Sequence, residues 1–161
     1  MLVFLNQRII AYMNKINPTT CKATSNQKVQ IPDDNGRNIV LYFYPKDSTP
    51  GCTIEGNDFS SLESSFEKQN SVIYGVSRDS LASHEKFKKK FNFSFDLISD
   101  EDESLCNQFD VIKLKKLYGK EYLGIIRSTF VISPAGEILR KWDKVRVTGH
   151  AQEVLEFVGT L

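Results

Sequence analysis

The sequence predicts an α/β domain with a central mixed β-sheet flanked by helices and an N-terminal β-hairpin. Two apolar runs, Ile39–Tyr44 and Val72–Ser77, are typical of strands that are buried on both faces of a sheet. A segment with apolar residues at helical spacing follows each run, which indicates a parallel β-α-β arrangement. Of the 161 residues, 40% are apolar and 25% are charged, the composition of one globular domain.

The N-terminal hairpin is predicted over residues 20–31, where two short strands flank the polar turn Ser25-Asn26-Gln27. The segment Pro32-Asp33-Asp34-Asn35-Gly36 is a loop, because proline and glycine punctuate it. After the first buried strand, a helix begins near Pro50-Gly51-Cys52 and ends near Asn70. Its buried face carries Phe59, Leu62 and Phe66.

A second helix follows the second strand, and Asp79-Ser80 can cap its N-terminus. One side of this helix carries Leu81, His84, Phe87 and Phe91. Residues 95–98 then form a short strand, and the acidic run 100–103 forms the first turn of a helix through Leu105 and Phe109. Negative charge suits that end of a helix because of its dipole.

The C-terminal part of the chain is predicted as a second hairpin and a helix. The hairpin pairs residues 125–133 with residues 137–142 around Pro134-Ala135-Gly136. The helix begins near His150, and its core stripe is predicted to contain Val154, Leu155, Val158 and Leu161. A parallel β-α-β unit followed by an antiparallel hairpin and a final helix is the layout of a thioredoxin-like fold.

Charge and apolar runs narrow the classes of partner. Lys and Arg total 21 and Asp and Glu total 20, so we expect no nucleic-acid partner. No apolar run approaches the ~20 residues that span a bilayer, so we also expect no membrane partner. We divide the chain into an N-terminal leader at 1–16, which lacks the basic region and cleavage site of a signal peptide, and a single domain at 17–161.

Cysteine usage points to a reducing compartment. The three cysteines, Cys21, Cys52 and Cys106, include no C-x-x-C pair, which argues against a disulfide framework and a four-ligand zinc site. His84 and His150 lie far apart in the sequence and supply no metal-ligand cluster. We therefore expect reduced thiols, a cytoplasmic location and no metal.

The segment most informative about chemistry is YFYPKDSTPGCTIE, residues 42–55. It predicts that Cys52 lies in the first turn of a helix, where free N–H groups and the helix dipole favour a thiolate. The hydroxyl of Thr49 can reach the same place as the sulfur. Pro45 and Pro50 stiffen the loop and shield the thiol.

These residues resemble the active-site signature of the peroxiredoxins, P-x-x-x-T-x-x-C, at Pro45, Thr49 and Cys52. The longer string F-Y-P-K-D-S-T-P-G-C-T resembles the Q-type branch, also called bacterioferritin-comigratory proteins. Ordered similarities continue downstream, among them the segment Arg127-Ser128-Thr129-Phe130, which resembles the family segment with the active-site arginine. The resemblance covers almost all of the chain from about Asn17.

The resemblance implies a thiol-dependent peroxidase with no cofactor. Cys52 would attack a hydroperoxide and become a sulfenic acid. Thr49 would hold the peroxide, Arg127 would stabilise the thiolate and the developing charge, and Pro45 would shield the site. The implied partners are a hydroperoxide and a thiol reductant, namely thioredoxin, glutaredoxin or glutathione, and we expect the protein to be a monomer.

The chain departs from the Q-type pattern at both usual positions of a resolving cysteine, which Asn57 and Lys88 occupy. The simplest interpretation is a one-cysteine peroxidase whose sulfenic acid is reduced by an external thiol. Cys106, predicted to be a small core residue, and Cys21, on the N-terminal hairpin, stay open as alternative resolving residues. Two other functions also stay open: a thioredoxin-fold disulfide oxidoreductase, and a redox-responsive sensor or holdase.

Overall fold

The computed structural model describes residues 14–161, which form nine strands and four helices. The strands are β1 (Thr19–Ala23), β2 (Gln27–Ile31), β3 (Asn38–Phe43), β4 (Ser71–Ser77), β5 (Asp96–Ser99), β6 (Ile112–Leu117), β7 (Lys120–Ile125), β8 (Ser128–Ile132) and β9 (Ile138–Trp142). The helices are α1 (Pro50–Lys68), α2 (Leu81–Phe91), α3 (Ser104–Gln108) and α4 (His150–Val158). Within residues 14–161, every helix is too short or too polar to cross a lipid bilayer.

Seven strands form one mixed sheet in the order β2-β1-β5-β4-β3-β8-β9. Strands β3, β4 and β5 run parallel, because α1 and α2 cross over between them. The other neighbours, β1 with β5, β3 with β8, β8 with β9 and β1 with β2, pair antiparallel. The predicted central mixed sheet with flanking helices and an N-terminal hairpin is therefore confirmed.

The sheet separates two hydrophobic cores, and the alternation of side chains along β3 shows it. Ile39, Leu41 and Phe43 point into one core together with residues of α3. Val40 and Tyr42 point into the other core, which also contains apolar side chains of α1, α2 and α4. The three long helices therefore cover one face of the sheet, and the short helix α3 covers the other.

The described end of the predicted leader packs on the domain. The N–H of Ile16 donates to the carbonyl of Gly136 at 2.8 Å, and Lys15 forms a bridge with Glu137. Ile16 is also buried in the core on the α3 side. Residues 14–16 thus belong with the domain rather than with a leader, and the rest of that prediction, residues 1–13, lies outside the described residues.

The β6–β7 hairpin was not predicted from the sequence. Its two-residue loop, Tyr118-Gly119, has positive φ at both positions, 50° and 75°. Such turns favour Asn or Asp followed by Gly, and here Tyr118 stands where Asn or Asp is usual, so only the glycine of the pattern is present. Leu114 and Leu123 pair across the strands but are 58% and 63% exposed, so the hairpin buries apolar side chains only at its base, at Ile112 and Ile125.

Three smaller predictions near the C-terminal half were wrong or displaced. Leu161 is exposed and does not belong to the core stripe of α4. The acidic run precedes α3 instead of forming its first turn, although the carboxylate of Asp100 accepts hydrogen bonds from the N–H groups of Leu105 and Cys106. The predicted hairpin strand over residues 125–133 is divided, since Ile125 ends β7 and β8 starts at Ser128.

A close contact holds α1 against the end of the loop after α2. A Cβ atom on Gly56 would lie 2.4 Å from Cζ of Phe93, so only a glycine fits without movement. The Phe93 ring cannot yield easily, because it packs edge-on against Phe87 at 4.9 Å and stacks on Phe95 at 5.6 Å between ring centroids. This contact sets how closely α1 packs on the segment that follows α2.

We predict that Gly56→Ala lowers the free energy of unfolding by about 1 to 2 kcal/mol, because overpacking outweighs the gain in helix propensity. Denaturant unfolding measures the change. Gly159→Ala is the matched control, since its Cβ would meet its nearest neighbours at ordinary contact distances of 3.4 and 3.5 Å. A Gly56→Ala protein as stable as the control would contradict the packing argument.

Candidate active site

Cys52 lies at the carboxyl end of β3, in the first turn of α1. Thr49 is the N-cap residue of the helix, with extended backbone angles, and Pro50 is its first residue. Proline suits this position because its missing N–H would have no partner in the first turn. Cys52 therefore lies in the first helical turn, as predicted, beside the N–H groups that have no partner within the helix and at the positive end of the helix dipole.

Arg127 places a positive charge next to the Cys52 sulfur. It lies between β7 and β8, and one guanidinium nitrogen, Nη2, donates to Sγ of Cys52 at 3.4 Å. Cys52 is only 2% exposed, and the side chain of Arg127 is 16% exposed. The contact therefore has little competition from water, so the guanidinium acts on the sulfur at close range.

Glu55 completes this group, although its role was not predicted from the sequence. Its carboxylate lies one turn beyond Cys52 on the same face of α1, and Oε1 accepts from Nη1 of Arg127 at 2.7 Å. The guanidinium thus bridges Cys52 and Glu55. The signal was present in the sequence as the i, i+3 spacing of the two residues, but only a fold shows that both face inward.

Burial gives Glu55 unusual acid–base properties. The residue is 1% exposed, and this burial raises its pKa to about 7, although the neighbouring Arg127 opposes the shift. No described residue offers a hydrogen bond to its second oxygen, Oε2, or to the hydroxyl of buried Tyr42. Burial lowers the pKa of Arg127, but the charges of Glu55 and Cys52 more than offset it, so the net shift is upward.

Gly51 allows the guanidinium to approach the helix. A Cβ atom at this position would lie 3.2 Å from Nη2 of Arg127, the nitrogen that contacts Cys52. Any larger residue would press on that nitrogen. The glycine of the predicted motif therefore leaves room for the arginine, a role that its position in the sequence does not reveal.

Thr49 presents an oriented hydroxyl. Its Oγ1 donates to the carbonyl of Lys46 at 2.9 Å, so its oxygen lone pairs stay free to accept a hydrogen bond. Among the described contacts, this hydroxyl bonds to the backbone of its own turn and not to the sulfur of Cys52. The half-buried ring of Pro45 starts the same loop, directly after buried Tyr44.

The other two thiols lie on the opposite side of the sheet. Cys106 is fully buried in the core on the α3 side, and Cys21 packs against that same core, whereas Cys52 belongs to the core under the long helices. Burial raises the pKa of Cys21 to about 11, with a further increase from Asp100. It also raises the pKa of Cys106, again with help from Asp100.

The two usual resolving positions carry unreactive side chains. Asn57 is exposed on α1, and the ammonium of Lys88 contacts the carboxylate of Asp96 at 2.6 Å. The Lys88 side chain thus joins α2 to β5. Lys88 therefore forms a structural ion pair at a position where a resolving cysteine would supply a reactive thiol.

Comparison with known proteins identifies the family. The AhpC/TSA family model matches residues 13–141. Peroxiredoxin Bcp of Xanthomonas campestris is 58% identical over 120 residues, which cover 74% of this chain and 75% of that protein. Peroxiredoxin Bcp of Bacillus subtilis is 49% identical over 135 residues, which cover 84% and 86% of the two chains.

Solved structures agree with the sequence comparison. A structure of Xanthomonas campestris peroxiredoxin Q superimposes with a TM-score of 0.84 at 48% identity and covers 88% of this chain and 90% of its own. Another study of the Xanthomonas protein concerns its alkyl peroxide reduction activity. A cysteine variant of Xylella fastidiosa PrxQ gives a TM-score of 0.85 at 41% identity, with 91% and 96% covered.

The fold, the placement of Cys52 and these similarities lead to one conclusion. The predicted thioredoxin-like arrangement is that of the solved peroxiredoxins, and the motif at Pro45, Thr49 and Cys52 stands where the sequence placed it. This chain belongs to the AhpC/TSA family and, within it, to the peroxiredoxins of the Q or Bcp type.

Proposed function

We propose that this peroxiredoxin reduces hydrogen peroxide and organic hydroperoxides through Cys52 and that an external thiol completes the cycle. The observation that supports the proposal most is the Arg127 bridge. A buried sulfur at a helix N-terminus receives an N–H from a guanidinium that a buried carboxylate holds in place. This arrangement favours the reactive thiolate and supplies a hydrogen-bond donor where charge develops.

In the first step, the Cys52 thiolate attacks the terminal oxygen of the hydroperoxide. A sulfur–oxygen bond forms and the oxygen–oxygen bond breaks, so sulfur loses two electrons and the peroxide gains them. The sulfenic acid keeps the O–H of the terminal oxygen, and the leaving alkoxide or hydroxide takes one proton from solvent water to become an alcohol or water. We assign to Thr49 the role of accepting the hydrogen bond of the peroxide O–H, and to Arg127 the stabilisation of the charge that moves to the leaving oxygen.

In the second step, an external thiol attacks the Cys52 sulfenic acid, releasing water and forming a mixed disulfide. A second thiol then displaces Cys52 and restores the thiolate. The positions of Cys21 and Cys106 behind the sheet support this one-cysteine cycle, since a disulfide requires Cα atoms within ~7 Å. Thioredoxin, glutaredoxin and glutathione are the candidate reductants, and we further propose a monomer in the cytoplasm.

The first experiment uses single-turnover oxidation. Cys52→Ser should abolish peroxide reduction, whereas the doubly substituted Cys21→Ser, Cys106→Ser protein should keep most of its multiple-turnover activity with a small thiol. Stopped-flow peroxide consumption and intact-mass spectrometry measure both results. Because no internal thiol is in reach of the Cys52 sulfenic acid, a moderate excess of peroxide should also oxidise Cys52 of the wild type to the sulfinic acid.

Two outcomes of that experiment would count against the proposal. A Cys52–Cys106 linked peptide as the main product of one equivalent of peroxide would overturn the one-cysteine cycle. Consumption that stops after one equivalent in excess thiol would favour a redox-responsive sensor or holdase over an enzyme.

A second prediction concerns the arginine. Arg127→Ala should slow the peroxide step about 10- to 1,000-fold, by the scale of a lost oxyanion donor. Arg127→Lys should also be impaired, because a single ammonium cannot bridge Cys52 and Glu55 as the planar guanidinium does. Rapid-mixing kinetics give the rates. Arg140→Lys on exposed β9 is the control, and a full-rate Arg127→Ala protein would show that the arginine was misassigned.

A third prediction concerns the proton on Glu55. Its pKa is raised from 4.5 to about 7 in the folded protein. The folded protein therefore binds this proton more tightly than the unfolded chain does. The contribution of Glu55 to stability is therefore complete below pH 4.5 and is lost as the pH rises through 7.

Glu55→Gln removes this titration. The stability of the wild type relative to Glu55→Gln should fall by on the order of 2 kcal/mol between about pH 4 and about pH 8. Urea unfolding at several pH values measures the difference. Glu156→Gln, on the exposed face of α4, is the control and should show no such trend. A difference between wild type and Glu55→Gln that is constant with pH would contradict the assignment.

A further inference from the structure

Asp47 holds the turn between β3 and α1 in place through several hydrogen bonds. One carboxylate oxygen, Oδ1, accepts from the hydroxyl of Tyr44 at 2.6 Å. The other, Oδ2, accepts from the hydroxyl of Ser83 at 2.8 Å and lies 2.7 Å from Nδ1 of His84. The backbone N–H of Asp47 donates to the carboxylate of Asp79 at 3.0 Å. Both the side chain and the main chain of this residue are therefore fixed.

His84 is the other half of the anchor, and its hydrogen bonds define where a proton lies. Nε2 lies 2.9 Å from the carbonyl of Ile98, which can only accept, so Nε2 carries a hydrogen. Nδ1 faces the Asp47 carboxylate at 2.7 Å, so a proton also lies between these two groups. The pair is thus an imidazolium beside a carboxylate, or its tautomer with the same proton moved to Asp47.

Burial makes this pair rigid. The side chain of His84 is fully buried and that of Asp47 is 4% exposed, so water cannot replace either partner. Asp79 adds a second carboxylate close by, and it accepts from the hydroxyl of Ser77. Loss of one partner would leave an uncompensated charge in the interior, which is costly.

The anchored residue sets the turn that carries Thr49. Asp47 and Ser48 are the two central residues of the turn from Lys46 to Thr49, and Ser48 has a left-handed φ of 62°. A serine adopts this conformation only at some cost, so its surroundings must hold it there. The Thr49 hydroxyl closes the same turn through its bond to the carbonyl of Lys46.

We propose that the buried Asp47–His84 pair is a positioning device for the peroxide-binding hydroxyl of Thr49. Cys52 is not among the described hydrogen-bond partners of the pair, and we assign the pair no direct contact with the substrate. It acts by holding the turn from Lys46 to Thr49 in the shape that points the Thr49 oxygen lone pairs at the peroxide. This inference rests on the proposed function, in which Thr49 accepts a hydrogen bond from the hydroperoxide.

The test compares two reactions of the same sulfur. In a Cys21→Ser, Cys106→Ser background, Cys52 is the remaining thiol. Its reaction with cumene hydroperoxide would use the Thr49 hydroxyl, and its alkylation by iodoacetamide would not. Asp47→Asn should lower the peroxide rate about 10- to 100-fold, the scale of a misplacement near 1 Å, and change the alkylation rate and its pH profile by less than about twofold.

The decisive measurement is a double-mutant cycle with Thr49→Val. If Asp47 acts through the Thr49 hydroxyl, Asp47→Asn should cost less than about twofold in peroxide rate once that hydroxyl is removed. Equal losses with and without the hydroxyl would overturn the proposal, as would a parallel fall in alkylation. A wild type that does not reduce peroxide would instead refute the proposed function itself.

Controls separate positioning from general loss of stability. Asp33→Asn removes another buried carboxylate, one paired with Arg37 beyond the opposite end of β3, and should lower the melting temperature without changing the ratio of peroxide rate to alkylation rate. An equal fall in that ratio for Asp33→Asn would overturn the proposal. If Asp47→Asn does not fold, Ser83→Ala removes one hydrogen bond to Asp47 and should give a smaller, still Thr49-dependent loss; a loss independent of Thr49 would overturn the proposal.

Discussion

The guanidinium of Arg127 is the group on which the rest of the site depends. It is held between a sulfur and a carboxyl group that are both almost fully buried, and neither group has another cationic side chain among its described hydrogen-bond partners. Gly51 leaves the space that the guanidinium needs. Because a buried charge is costly without a partner, these contacts support each other, and α1 is held to the segment between β7 and β8.

The sheet divides the cysteines and so shapes the proposed chemistry. Cys52 lies on the face covered by long helices, beside cationic Arg127, whereas Cys106 and Cys21 lie behind the sheet near the carboxylate of Asp100. The first environment gives the Cys52 sulfur a hydrogen bond from a guanidinium, whereas burial and Asp100 raise the pKa of the other two thiols. In the one-cysteine cycle proposed above, the protein therefore supplies the oxidised sulfur and an outside thiol supplies the reducing electrons.

Sequence patterns predicted the elements whose signals are local. The apolar runs of β3 and β4, the proline and glycine that begin α1, and the serine that caps α2 each act within a few residues. The β6–β7 hairpin was not predicted because its turn begins with Tyr118 and its leucines face solvent. The sequence placed His150 only at the start of the last helix, and the structure shows that its buried Nε2 lies 2.7 Å from the hydroxyl of Thr129 on β8.

Local sequence patterns were enough to predict the fold class, the family resemblance and the placement of Cys52 and Thr49 at a helix start, because helix caps, buried strands and a short motif are properties of neighbouring residues. Tertiary structure decided which distant groups meet there. Glu55 faces Arg127 across 72 residues, and Asp47 faces His84 across 37, contacts that depend on how α1, α2 and the sheet pack. It also decided that Cys106 lies behind the sheet, because the side to which a residue points follows from strand pairing and helix packing, which spacing along the chain does not encode.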